Sequence, residues 1–252
     1  MDWVYVVTVV AAGFGAGFVM AAVGAGSLVS FPMLLGVGLS PLAANVCNNV
    51  GLVPGGLSGS FGFRRELAGH RRLVLQVALT SAVGALLGAA LLLALPSTAF
   101  DRVVPILVIV SATLVGAGPL ISAAVRRHGS SLERAELGPA TTTLSTLVGV
   151  YGGYFGAAQG VLLVAFLGLG LDVPLSAVNG LKNIAVLSAN VAAGVVFAFL
   201  APMHWGVVAL LAVGSVVGAW LGAHLGRRLP PAVFRALVVV IGYVVGVRML
   251  LS

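Results

Sequence analysis

Charged residues are scarce in this sequence. Asp, Glu, Lys and Arg together make up 8% of its 252 residues, whereas apolar residues make up 60% and the mean hydropathy is +1.16. A soluble domain has about 25% charged residues, so this composition excludes a soluble enzyme, a nucleic-acid-binding module and a disordered tail. A helix needs about 20 apolar residues to cross a bilayer, and the chain is long enough for about eight such helices. The sequence predicts a multi-pass membrane protein.

Cysteine and intramembrane acids are scarce as well. Cys47 is the only cysteine, which excludes an intramolecular disulfide and a Cys-based metal cluster. The six acidic residues fall in predicted loops or at segment ends, whereas a cation pathway usually needs carboxylates inside the membrane. A metal-ion carrier is therefore disfavoured, and neither a metal site nor a cofactor is expected. The common hydrolase, metalloprotease and phosphate-loop motifs are missing, so we do not expect an enzyme.

Basic residues exceed acidic ones, and the formal net charge is +7. The arginines lie in short clusters beside hydrophobic runs, which is typical of cytoplasmic loops and not of a nucleic-acid-binding surface. We therefore expect the loops at 64–72, 126–138 and 227–230 to face the cytoplasm, and those at 96–101 and 201–204 to face outward. The clustered residues are Arg64, Arg65, Arg71, Arg72, Arg126, Arg127, Arg134, Arg227 and Arg228.

Hydrophobic runs without polar alternation predict helices, because a membrane barrel strand would alternate. Two of these runs, at about 27–38 and 160–171, are too short to cross the bilayer. Each follows a glycine-rich break, Gly24-Ala25-Gly26-Ser27 or Ala157-Ala158-Gln159-Gly160. Half-helices, re-entrant hairpins and tilted short helices have this pattern, and so does a glycine-rich kink in a packed bundle. The longer segments run at about 3–23, 41–63, 73–95, 98–125, 139–157, 175–201, 203–226 and 231–251.

The chain contains an internal duplication at a constant offset of 134 residues. Asn45 aligns with Asn179, Asn49 with Asn183, and His70, Gly84 and Pro96 with equivalent residues in the second half. The sequence predicts membrane repeats at 1–125 and 139–252, joined by a cytoplasmic linker at 126–138. Because the arginines lie at different loops in the two halves, we expect the repeats to be inverted. The predicted fold is an all-α polytopic membrane protein with two inverted repeats and about 8–10 membrane helical segments.

Lys182 is the only lysine and lies about 12 Å into its segment. A charge at that depth normally faces a polar cavity or a partner. The alternative without a binding site is that the Lys182 side chain extends to the membrane interface while nearby asparagines only hold helices together. Because polar residues recur at equivalent positions of both halves, we expect an oxyanion site with Gly26, Gln159 and Gly160 at the breaks. The predicted site residues are Asn45, Asn48, Asn49, Asn179, Lys182, Asn183, Gly26, Gln159 and Gly160.

The two breaks, the Pro41…Asn45…Asn49 helix and its counterpart Pro174…Asn179…Lys182-Asn183 resemble the TauE/SafE family of sulfite and organosulfonate exporters. The resemblance extends over nearly the whole chain. It implies a bacterial inner-membrane permease for a small anion such as sulfite, a sulfonate or a related sulfur oxyanion. The expected partners are that anion, the lipid bilayer and, in a coupled transporter, a proton or another ion. An anion channel, a carrier of small organic carboxylates and a non-transporting scaffold are the alternatives.

Overall fold

The computed structural model describes residues 2–128, 136–225 and 231–251. Every regular element in these ranges is a helix, which confirms the predicted all-α class. Arg134, Arg227 and Arg228 lie outside the described residues. The helices are α1 (Trp3–Ala22), α2 (Ser27–Gly36), α3 (Pro41–Gly51), α4 (Val53–Gly62), α5 (Arg71–Ala94), α6 (Ser97–His128), α7 (Pro139–Tyr154), α8 (Gln159–Gly170), α9 (Leu175–Leu200), α10 (Trp205–Leu225) and α11 (Pro231–Leu251).

Six of these helices are long and apolar enough to cross a bilayer, namely α1, α5, α6, α9, α10 and α11. Many large apolar side chains on the long helices face outward, among them Leu79, Val217 and Val244. A water-soluble protein rarely exposes apolar surface on this scale, whereas lipid solvates it. The chain is therefore a multi-pass membrane protein, as its composition predicts.

The segment predicted as one helix over 41–63 consists of two helices, α3 and α4, separated at Leu52. Pro54 causes the interruption because its ring nitrogen has no hydrogen to continue the helical hydrogen bonding. The Ser215 hydroxyl of α10 donates to the Gly51 carbonyl over 3.1 Å, which satisfies an acceptor at the interruption. Helix α3 starts regularly, since Pro41 occupies its first turn and the Ser40 hydroxyl accepts a hydrogen bond from the Ala43 amide.

The two halves of the chain are in contact along the length of several helices. The most extensive contacts join α1 to α10 and α5 to α7, so a helix of each half lies along a helix of the other. Gly17 of α1 contacts Ser215 and Ala219 of α10 so closely that any side chain there would meet backbone. Small residues permit this approach, which supplies packing contacts that lipid cannot replace.

Equivalent helices run antiparallel where they meet. Gly56 of α4 lies against Leu187 of α9, whereas Val50, earlier in the chain, lies against the later Gly194. The α6–α11 contact follows the same rule, because Gly116 faces Val239 and Ala112 faces Gly242. The inverted orientation of the repeats across a bilayer stays a prediction, and these contacts are the geometry that it requires.

The turn at 63–70 and the start of the second half lie at one end of the bundle, which we call the arginine end. Arg72 forms an ion pair with Glu136, and the Leu137 amide donates to the Gln76 side chain over 3.4 Å. The start of α9 lies there too, since Gly180 faces Leu67. Two of the loops predicted to be cytoplasmic therefore share one end of the molecule.

Single-cysteine labelling tests this topology in a Cys47→Ser background. Ala68→Cys and Pro202→Cys are both exposed positions, and we expect them to react with an impermeant maleimide from opposite sides of the membrane. Cys47→Ser without a new cysteine is the control for background labelling. If both positions react from the same side, the inverted arrangement is wrong.

Candidate functional site

The two glycine-rich breaks touch each other in the interior of the bundle. The Gly160 amide donates to the Gly24 carbonyl over 3.1 Å, and a Cβ on Gly160 would lie only 2.6 Å from the Gly24 Cα. Gly24 has a φ of +85°, a backbone conformation that residues other than glycine rarely adopt. Glycine is therefore required at this junction both for the backbone conformation and for the close approach.

Lys182 reaches this junction from α9 and is completely buried. Its Nζ donates to the Ala21 carbonyl at the end of α1 over 3.3 Å, and its Cδ lies beside Gly24. No carboxylate among the described residues pairs with it. The carbonyl end of a helix carries partial negative charge, so α1 stabilises the ammonium in the absence of a counter-ion. Two of the three ammonium hydrogens have no described protein acceptor.

Two further side chains in the same region have unused hydrogen-bonding groups. Both polar atoms of the Gln159 amide are buried without a partner, and so is the Asn183 Nδ2. Gln159 is the first residue of α8 and packs against Gly152, whereas Asn183 follows Lys182 directly. Buried polar groups are normally hydrogen-bonded because an unmade bond costs about 1–3 kcal/mol. Gln159 directly precedes Gly160 of the junction, so its unpaired amide is a candidate group for binding a polar ligand there.

The three predicted asparagines of α3 instead donate to protein groups. Asn45 donates to the Tyr154 carbonyl over 2.9 Å, Asn48 to the Ser27 hydroxyl over 3.0 Å and Asn49 to the Asn190 amide over 3.4 Å. Asn48 also accepts a hydrogen bond from the Ser30 hydroxyl. These bonds hold α3 against α7, α2 and α9. Each of these amides therefore uses one of its two hydrogens in a contact between helices.

The second break is held by two hydroxyl groups. Tyr151 and Ser111 donate to the Ala157 carbonyl over 2.6 and 3.1 Å, and the two hydroxyl oxygens lie 2.6 Å apart. At the first break Lys182 binds the Ala21 carbonyl, and Asn48 of α3 donates to the Ser27 hydroxyl. A cation therefore contributes to holding the first break, whereas neutral groups join the second break to α6.

A cavity of about 310 Å³ lies at the arginine end, below the first break. Ala21 and Val23 line it from α1, and Asn179 lines it from α9 while donating to its own helix at the Leu175 carbonyl. Arg235 lines the opposite wall and was not among the sequence-predicted site residues. A charged residue inside the apolar run 231–251 was the available signal. Gly26 does not line this cavity but packs against Ala16 and Met20 of α1.

A bundle of membrane helices with two interrupted segments meeting around a buried cation defines the class of polytopic membrane transporters. The family model described as sulfite exporter TauE/SafE matches residues 9–249. The chain therefore belongs to the TauE/SafE family, and it is a membrane transporter of that family. No solved structure matches the chain.

Three bacterial proteins named as probable membrane transporters are similar to this chain over nearly their whole length. A probable membrane transporter protein of Sinorhizobium is 30% identical over 95% of this chain and 90% of its own. One from Haemophilus influenzae is 26% identical over 94% and 91%. The probable membrane transporter protein YfcA of Escherichia coli K12 is 26% identical over 93% and 86%. These similarities agree with the bacterial inner membrane as the location of the chain.

The glycine junction makes a stability prediction. Gly160→Ala introduces a Cβ into the Gly24 backbone, so we expect the free energy of unfolding to fall by about 1–3 kcal/mol. The measurement is the midpoint of thermal unfolding in detergent. Gly36→Ala at the end of α2 is the matched control, because nothing lies within 4 Å of its new Cβ. Equal midpoints for the two variants would show that the breaks are not in close contact.

Proposed function

We propose that the protein is a secondary transporter for a small anion, specifically a sulfur oxyanion such as sulfite or a sulfonate. The observation that carries the proposal is Lys182, a buried ammonium bound to a backbone carbonyl at the junction of the breaks. A cation without a carboxylate partner among the described residues suits an anionic ligand. Charge-assisted bonds to such a ligand are about twice as strong as neutral ones.

The mechanism follows from the donors that are unused. An anion arriving from the cavity at the arginine end meets the wall formed by Ala21, behind which Lys182 lies. It would replace the Ala21 carbonyl as acceptor of the ammonium, while Gln159 and Asn183 supply amide hydrogens. The amino-terminal end of α8 adds positive helix-dipole charge. Binding would thereby release the first break from Lys182, while Tyr151 and Ser111 keep the second break fixed.

Alternating access needs two halves that can exchange their roles. In transporters with inverted repeats, discontinuous helices meet near the bilayer midplane and one repeat moves against the other. Antiparallel packing of α3 and α4 with α9, and of α6 with α11, supports this arrangement. Because the anion would compete with the Ala21 carbonyl for Lys182, we expect the first break to move during transport.

Two alternatives share the same basic site. An anion channel would need a continuous hydrated path, and a carboxylate carrier would bind a planar group in place of a pyramidal or tetrahedral one. A counterflow experiment distinguishes a carrier from an anion channel, because unlabelled anion inside the vesicles accelerates uptake of labelled anion through a carrier but not through a channel. Competition experiments with acetate and malonate against labelled sulfite distinguish a sulfur-oxyanion carrier from a carboxylate carrier, which the two carboxylates would inhibit.

Removing the charge of Lys182 tests the proposal directly. Lys182→Gln should lower the affinity for sulfite about ten- to a hundred-fold, since a lost hydrogen bond to a charged group costs about 1.5–3 kcal/mol. Lys182→Arg should restore little, because a planar guanidinium does not match a compact ammonium. The measurement is uptake of labelled sulfite into vesicles containing the purified protein.

Ser81→Ala is the matched control, since Ser81 is fully buried on a different helix, α5. It should insert and transport as the wild type does. If Lys182→Gln transports sulfite with wild-type affinity, Lys182 is not the anion's counter-charge. If the wild type transports a carboxylate but no sulfur oxyanion, the substrate assignment is wrong while the anion site remains.

A further inference from the structure

A second cation, Arg235, lines the cavity at the arginine end, which Lys182 does not line. It lies near the start of α11, and its guanidinium rests on Gly118 of α6, where a Cβ would lie 3.4 Å from its nitrogens. Its Nε is buried without a hydrogen-bond partner. Within the described ranges it has no ion pair either, and none of the acidic residues described lines the cavity. Within the part of the chain that the structure describes, no carboxylate on the cavity lining neutralises this positive charge.

The place of Arg235 differs from that of the other basic residues at this end. Arg65 is exposed in the 63–70 turn, so water and salt screen its charge. Arg235 is partly buried and borders a recess with low-dielectric walls, which concentrate the field of a charge and raise the local concentration of counter-ions. A residue needed only for membrane orientation would gain nothing from facing a cavity.

We propose that Arg235 forms a recruiting subsite for anions in the cavity at the arginine end, separate from the Lys182 site. The Ser122 hydroxyl and the Asn179 amide are on the same lining and provide neutral polar groups for an oxyanion held there. The wall residue Ala21, whose carbonyl binds Lys182, borders the same cavity. An anion therefore meets Arg235 first and passes from it to Lys182. This route depends on the proposed function, whereas the attraction of anions to the cavity does not.

Charge-selective labelling tests the subsite without any assumption about the substrate. Ser122→Cys in the Cys47→Ser background places a thiol on the cavity lining. Two reagents are compared in inside-out vesicles: the anionic sulfonatoethyl methanethiosulfonate and its cationic trimethylammonium analogue. Adding Arg235→Gln should lower the ratio of anionic to cationic modification rates by about three- to ten-fold. Arg235→Lys should preserve the ratio, because it keeps the charge.

Two control variants separate a local effect from a general one. Arg65→Gln removes an exposed charge from the same end, and Arg248→Gln removes one from the far end of α11; both should change the ratio by less than two-fold. An unchanged ratio in Arg235→Gln, or an equal fall in Arg65→Gln, would overturn the subsite. Measured on the same vesicles, Arg235→Gln should raise the KM for labelled sulfite several-fold with little change in maximal rate. If the wild type carries no sulfite but Arg235→Gln still lowers the labelling ratio, the proposed substrate is wrong and the subsite is supported.

Discussion

A single lysine ammonium in the interior of a membrane protein sets the main constraint on this structure. Holding such a charge in the bilayer costs at least about 2.5–3.5 kcal/mol on insertion scales unless the protein supplies a partner. Here the partner is the Ala21 carbonyl, which is free to accept because α1 ends at the first break. The break, the glycine junction that lets the second break approach, and the direction of α9 all serve to bring Lys182 to that carbonyl.

The sequence duplication does not lead to two identical halves. Asn48 occupies the position equivalent to Lys182, and it binds Ser27 and Ser30 of its own half with neutral hydrogen bonds. The second break is held by the neutral groups of Tyr151 and Ser111, whereas the first is held by the Lys182 ammonium as well as by the Asn48–Ser27 bond. In a transporter that alternates between two states, such a difference gives the ligand one break on which to act.

Composition and segment lengths were sufficient to predict the helical membrane fold and its two short helices, because the bilayer admits so few alternatives. The interruption at Leu52 was missed, since Pro54 near a helix start is ordinarily tolerated and Ser215, which binds the Gly51 carbonyl there, is 164 residues from Gly51 in sequence. The hydrogen bonds of the α3 asparagines were not predicted, because their partners come from other helices. Arg235 was missed for the same reason: its importance depends on a cavity that several helices build together.

The central claim is that Lys182 binds the transported anion, and ligand-dependent stability of the purified protein measures this without transport. A ligand at one hundred times its dissociation constant stabilises the state that binds it by about 2.7 kcal/mol. The account predicts that sulfite raises the thermal midpoint of the wild type in a saturable manner, that chloride at equal ionic strength does not, and that Lys182→Gln loses the response. An equal, saturable rise in the wild type and in Lys182→Gln would contradict it.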